Sequence, residues 1–266
     1  MYIPTNSQNL KDIKAKQIRL GLLGESGTGK TWSALTFPNP CVADFDGNLV
    51  GHVGKDVIVL PFHDHDWVIN LPKGKATLKD ASANRRDAFL LWMKTEAIKL
   101  ESDQTLIIDS WSTLQDAFDI QTELEPVYNA ENKVDTFAFW DKKLDFSRDI
   151  LNACKALKCH VVVTFHEFKV RDPKTNQLID KIAPMMQGKF VTKLGLYFTD
   201  FFRCHAVPKY KVDANKKLVL DETTGKQIVE STTWLWQTKP DAQVNCKTRM
   251  TDCEMFIEPN FTSLKY

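Results

Sequence analysis

The chain has 266 residues, 43% of them hydrophobic and 26% charged, with a formal net charge of +1. This composition suits one large globular domain, or one domain with a small appendage, whose core needs neither disulfide nor metal for stability. A charge this close to zero implies no partner by itself, since nucleic-acid binding requires basic residues clustered locally. Six cysteines (Cys41, Cys154, Cys159, Cys204, Cys246, Cys253) are scattered without CxxC spacing, which fits reduced thiols.

Residues 1–16 read as a polar, basic arm without the apolar stretch of a secretory leader. No later apolar run reaches the length of a membrane span. A soluble, cytoplasmic protein with no membrane contact is expected, with residues 17–266 as one domain. Gln17 to Leu23 is the first predicted strand, followed by a glycine-rich loop and a short helix from Thr31 that Pro38 and Pro40 stop. Cys41 to Ala43 and Val57 to Phe62 are further short strands. A helical pattern covers Ala81 to Glu101, and Leu106 to Ile108 is a buried strand. Helices are expected over Ser112–Glu123 and Phe139–Leu157, then an all-apolar strand from His160 to Phe165. Strands apolar on both faces that alternate with helices predict a parallel sheet covered on both sides. After Phe190 the pattern turns β-rich: Leu196–Val207, Tyr210–Val219 and Gln227–Gln237 read as antiparallel additions at the sheet edge. The predicted fold is α/β, mainly parallel and flanked by helices, with C-terminal antiparallel strands.

The loop Gly24-Glu25-Ser26-Gly27-Thr28-Gly29-Lys30-Thr31 fits the phosphate-binding pattern GxxxxGK[ST], between a strand and a helix as that pattern requires. Gly27 and Gly29 permit positive φ, so successive N–H groups can turn toward a phosphate. The start of the helix adds a partial positive charge, Lys30 reaches the β- and γ-phosphates of ATP, and the Thr31 hydroxyl serves Mg²⁺. A second oxygen ligand is expected from Asp109, delivered by the apolar strand Leu106 to Ile108; the alternative is an acid that caps the next helix. No Glu follows Asp109, so a catalytic base must come from elsewhere. Asp46, in Asp44-Phe45-Asp46-Gly47, is the candidate to orient the attacking water, against the alternative of acids capping a turn. Glu25 is a weaker rival. His166, at the tip of the strand expected beside that of Asp109, is a candidate γ-phosphate sensor.

Those segments together resemble the RecA-like class of P-loop ATPases: the glycine loop, Ala-Asp-Phe-Asp-Gly, Leu-Ile-Ile-Asp-Ser and Val-Val-Thr-Phe-His. More narrowly, with Ile182-Ala183-Pro184-Met185-Met186-Gln187-Gly188-Lys189 and the closing Ile257 to Leu264, the chain resembles phage-encoded AAA-type ATP-binding proteins of single-strand annealing and recombination. The resemblance runs from about Gln17 to the C-terminus. It implies an ATPase, weak without DNA or an oligomer, in the cytoplasm of an infected bacterium. The acid at the position of Asp46 is usually Glu in that class, and the shorter Asp puts efficient hydrolysis in question. The residue at His166 would link the γ-phosphate to a mobile DNA-binding loop, here Glu167 to Lys193, whose Lys169, Arg171, Lys174, Lys181 and Lys189 would lie along single-stranded DNA. Lys247 and Arg249 resemble basic fingers that complete a neighbour's site, which implies a ring or filament and admits a single-strand DNA-binding protein as partner. Two other functions stay open: a nucleotide switch that loads a partner without touching DNA, and a small-molecule kinase, which lacks an arginine-rich lid. His63-Asp64-His65-Asp66 reads as a polar turn, against the alternative of a metal site, and Trp234 and Trp236 as packing residues on one strand face, against the alternative of stacking on bases.

Overall fold

Arg19–Gly24 form β1, a strand buried along its whole length. Leu20 and Leu22 enter one core and Leu23 the other, so the alternation of a strand serves two apolar faces at once. The computed structural model describes residues 17–49, 56–63, 78–124, 126, 128–172, 174–186, 188–213 and 216–266. The expected 1–16 arm lies outside them, as do Asp64, His65 and Asp66.

After β1 come α1 (Lys30–Ala34), β2 (Pro40–Asp44), β3 (Ile58–Leu60), α2 (Leu78–Thr95), β4 (Thr105–Asp109), α3 (Trp111–Leu124) and α4 (Thr136–Ala156). Then follow β5 (His160–Arg171), β6 (Leu178–Pro184), β7 (Asp200–Tyr210), β8 (Val229–Gln237) and β9 (Phe256–Ile257). The sheet order is β3-β2-β4-β5-β1-β7-β8-β9, with β6 paired to β5. The first six of these strands are mutually parallel. β6, β8 and β9 pair antiparallel.

One face of the sheet carries Ile108, Val161, Val163 and Phe165 against Phe89 of α2, Leu114 and Phe118 of α3, and Leu151 of α4. The other carries Ile107 and Val162 against Ala34 of α1, with Phe202 and Trp236 from the later strands. Ile107 and Val162 are fully buried, and each such side chain contributes about 1.5–3 kcal/mol. α4 begins three residues earlier than its apolar pattern suggests. Asp135 caps it, accepting from the N–H groups of Phe137 and Ala138 at 3.0 Å.

Three expectations about the second half change. β5 does not stop at Phe165 but runs on to Arg171 and folds back through β6. The expected Glu167–Lys193 loop is therefore a β-hairpin followed by a 3₁₀ segment, Gly188–Leu196. β7 is not an antiparallel addition: it lies parallel to β1, and the antiparallel part begins at β8. Tyr210–Val219 is not a continuous strand, because Val212 bridges back to Leu218 across a turn in which Lys216 takes φ 62°.

Parallel strands bring their C-terminal ends to one edge. There Asp44 is level with Asp109, and Gly24 with His166. In open α/β sheets this is the edge at which ligands bind.

Candidate functional site

β1 delivers the glycine loop to that edge. Gly27 and Gly29 both take positive φ, 79° and 81°, as the sequence requires of a loop whose N–H groups converge. α1 has only five residues. The dipole of so short a helix adds little, which leaves N–H groups of the loop as the donors a phosphate would use. Lys30 is buried, and its Nζ donates to the carbonyls of Gly24 at 2.9 Å and Glu25 at 2.7 Å. Burial lowers its pKa from the ordinary lysine value. Glu25 itself is exposed.

Thr31 and Asp109 meet beside the loop. The Thr31 hydroxyl donates to Asp109 Oδ2 at 2.8 Å, and the Thr164 hydroxyl donates to Oδ1 at 2.5 Å. Burial pushes the Asp109 carboxyl up from its ordinary value, while the hydrogen bonds from Thr164 and Thr31 work against that rise. A hydroxyl and a carboxylate at this position are the hard oxygen donors that Mg²⁺ takes. Among the described residues no group of three or more His, Cys, Asp or Glu is arranged to hold a metal alone. Thr31 and Asp109 are the residues of this edge that would hold such an ion. Asp109 ends its strand, and the side chain that accepts from a first-turn N–H of α3, that of Thr113 at 3.4 Å, belongs to Ser110.

Asp46 sits at the centre of a second network. Its Oδ1 accepts from Ser110 at 2.9 Å and Thr113 at 2.5 Å, and His166 Nε2 lies 3.2 Å from its Oδ2. Burial alone would raise this carboxyl, but the hydrogen bonds from His166, Thr113 and Ser110 outweigh it and bring the pKa down to about 2. β2 ends at Asp44, so strand alternation does not place Asp46; a turn through Gly47, at φ 71°, does. Asp44 has the capping role. Its Oδ1 accepts from the N–H groups of Asp46 at 3.1 Å and Gly47 at 2.8 Å, and its Oδ2 lies 3.1 Å from His63 Nδ1.

β5 lies between β4 and β1, which sets His166 between Asp109 and the glycine loop. The His166 N–H donates to Ser112 Oγ at 3.2 Å, and the Met185 N–H donates to the His166 carbonyl at 2.7 Å. The base of the β5–β6 hairpin is therefore tied to the phosphate edge. Glu167 is not a free acid of that hairpin. It accepts two hydrogen bonds from Arg203, at 2.9 and 3.0 Å. Lys169, Arg171, Lys174 and Lys181 are exposed on the hairpin, with Arg171 donating to the Asn176 carbonyl at 2.9 Å. The side chain of Lys189 lies outside the described residues.

Lys247 and Arg249 are not at this edge. Lys247 bridges Phe201 near the start of β7, and Asp200, one residue earlier, accepts from the Arg249 N–H at 3.0 Å. Lys247 Nζ donates to the carbonyls of Gly195 at 2.7 Å and Phe198 at 2.8 Å. That engagement within its own chain argues against Lys247 as a finger. Arg249 is exposed.

The loop, Asp46, Asp109 and His166 line one pocket of about 660 Å³, which also contains Trp32 and Trp234. Sequence reading missed four supporting groups: Thr164, Ser110, Ser112 and Thr113. Thr164 left a signal, as the one hydroxyl in the apolar run from Val161 to Phe165.

A glycine phosphate loop at the end of β1, with an acid-bearing strand one place removed across β5, defines a P-loop NTPase of RecA-like fold. The chain belongs to the AAA domain family, whose model matches residues 16–208. Among solved structures it is similar to the RadB recombinase, with 14% identity and a TM-score of 0.36 over 83% of this chain and 87% of that one. It is also similar to the flagellar accessory protein FlaH from Methanocaldococcus jannaschii, with 12% identity and a TM-score of 0.36 over 92% and 87%. Likeness at that level does not bear on what this chain does. No curated protein matches the sequence. No described helix is long and apolar enough to cross a membrane.

Proposed function

We propose that this chain binds ATP with Mg²⁺ at the glycine loop and hydrolyses it, and that the nucleotide controls contact with single-stranded DNA. The contact of Thr31 with Asp109 beside Lys30 carries the nucleotide part. Lys30 would leave the carbonyls of Gly24 and Glu25 for the β- and γ-phosphates. Thr31 and Asp109 would hold Mg²⁺, which would supply charge neutralisation at the phosphates.

Asp46 would orient the attacking water. Its low pKa makes it a weak proton acceptor, so its contribution is positional. His166 touches Asp46 and begins the hairpin, so a γ-phosphate that displaces it would pull on Met185 and β6. Lys169, Arg171, Lys174 and Lys181 give that hairpin a basic surface for the DNA backbone. Arg249, exposed and far from its own glycine loop, would complete a neighbour's site in a ring or filament. On this reading residues 17–266 act as one unit in phage-type recombination or annealing in a bacterial cytoplasm, with a single-strand DNA-binding protein as a natural partner.

A second reading, a nucleotide switch that loads a protein partner, has its own support. Val207, Val212, Leu218, Leu220 and Val229 are all exposed along the β7–β8 ribbon. An ATPase assay with and without single-stranded DNA separates the two. The DNA reading expects stimulation, and salt-sensitive binding that is lost when Lys169, Arg171 and Lys174 are neutralised together. DNA binding that survives those changes overturns the hairpin assignment, and no binding at all leaves the switch.

A further inference from the structure

We infer that Trp234 is the stacking platform for the nucleotide base, with Trp32 as the second apolar wall. The inference rests on the phosphate site assigned above. β8 lies on the opposite side of β1 from β4 and β5. A nucleotide with its γ-phosphate toward Asp109 and His166 therefore extends its other end toward β8. Trp236 of that strand is wholly buried, its ring 5.6 Å from that of Phe202. Two residues earlier on the same face, Trp234 emerges at the level of the glycine loop and is 45% exposed.

Its position is defined by contact. The indole Nε1 donates to the Gly27 carbonyl at 3.4 Å, and a Cβ built on Gly29 would stand 3.0 Å from Trp234 Cδ1. Trp32, 48% exposed, follows Thr31 on α1 and lines the same pocket. An indole face is electron-rich and offers nothing to a phosphate. It is suited to the π-face of a base, and to the larger purine ring before a pyrimidine. The polar half of the pocket thus takes the phosphates and the aromatic half takes the base.

Calorimetric titration of the full chain with Mg²⁺ and either ATP or inorganic tripolyphosphate, which has no base, tests this. Trp234→Ala is expected to weaken ATP about tenfold, the worth of one aromatic–base stack, and to leave tripolyphosphate binding unchanged. Unchanged tripolyphosphate binding also reports an intact fold. Trp234→Phe should recover most of the ATP affinity. Equal weakening of both ligands would make Trp234 a brace for Gly29 and overturn the inference, as would no effect on either. Failure of the wild-type chain to bind either ligand would instead overturn the phosphate site.

Discussion

His166 Nε2 lies 3.2 Å from Asp46 Oδ2, across 120 residues of sequence. The candidate sensor and the candidate water-orienting acid are therefore one unit, held from the other side by Ser110 and Thr113. Asp46→Ala removes the carboxylate oxygens that would orient the attacking water. It should lower the ATP turnover rate by about 10²–10⁴-fold, the usual reach of a positioned catalytic group, with ATP affinity changed only a few-fold. Single-turnover hydrolysis beside equilibrium binding checks this. Hydrolysis at the wild-type rate would remove Asp46 from the reaction.

The same network predicts an acid-sensitive contribution to stability. The unfolded carboxyl titrates near 3.8 and the folded one near 2, so the native state holds this proton less tightly. The contribution is fully present above the unfolded value and fades as pH falls toward 2. Its size is on the order of 2 kcal/mol. Urea unfolding between pH 5 and pH 2.5 should show a steeper loss for the wild-type chain than for Asp46→Asn. Parallel curves would mean that the hydrogen bonds to Asp46 do not favour its charged form.

Asp44 is the residue that makes the turn. Asp44→Ala leaves the N–H groups of Asp46 and Gly47 without their acceptor and His63 without its carboxylate. A loss of about 1–3 kcal/mol in unfolding free energy is expected, with a parallel loss of hydrolysis as Asp46 shifts. A variant as stable and active as wild type would show that the turn forms without this cap.

Gly27 and Gly29 share positive φ but differ in surroundings. An added Cβ meets nothing at Gly27, whereas at Gly29 it approaches Trp234 at 3.0 Å. Gly27→Ala should lower stability by about 1 kcal/mol from backbone strain alone. Gly29→Ala should lower it further, and Gly29→Ala combined with Trp234→Ala should recover the excess. Denaturant midpoints for the four-member cycle measure this coupling; strictly additive effects would contradict it.

The central site was legible because phosphate chemistry dictates residue types at fixed spacing. Gly24 to Thr31 opens at the end of β1 and Asp109 ends β4, where their motifs put them, and His166 is level with Gly24, inside a β5 that runs on past it. The β5–β6 hairpin was not legible. Lys169, Arg171 and Asp172 read as a charged loop, while the alternation Phe168-Lys169-Val170 and the turn residues Asp172 and Asn176 were the strand and hairpin signals passed over. Its anchors, the Gln243 carbonyl that accepts from Ile182 and the Asp180 carboxylate that accepts from Gln243, are distant in sequence. Lys247 looked available because no local pattern announces that its amine caps the carbonyls of Gly195 and Phe198. The strand spacing of Trp234 and Trp236 favours packing for both over stacking; only the sheet order brings the Trp234 end of that strand to the glycine loop.

The most direct measurement is equilibrium binding of ATP with Mg²⁺ to the wild-type chain and to Lys30→Ala. Lys30 is the one lysine in the glycine loop, and loss of a charge-assisted contact to phosphate is worth about 1.5–3 kcal/mol, or at least tenfold in affinity. Wild-type binding that falls by that factor in Lys30→Ala is the predicted result. Unchanged affinity in Lys30→Ala would contradict a phosphate site at Gly24 to Thr31.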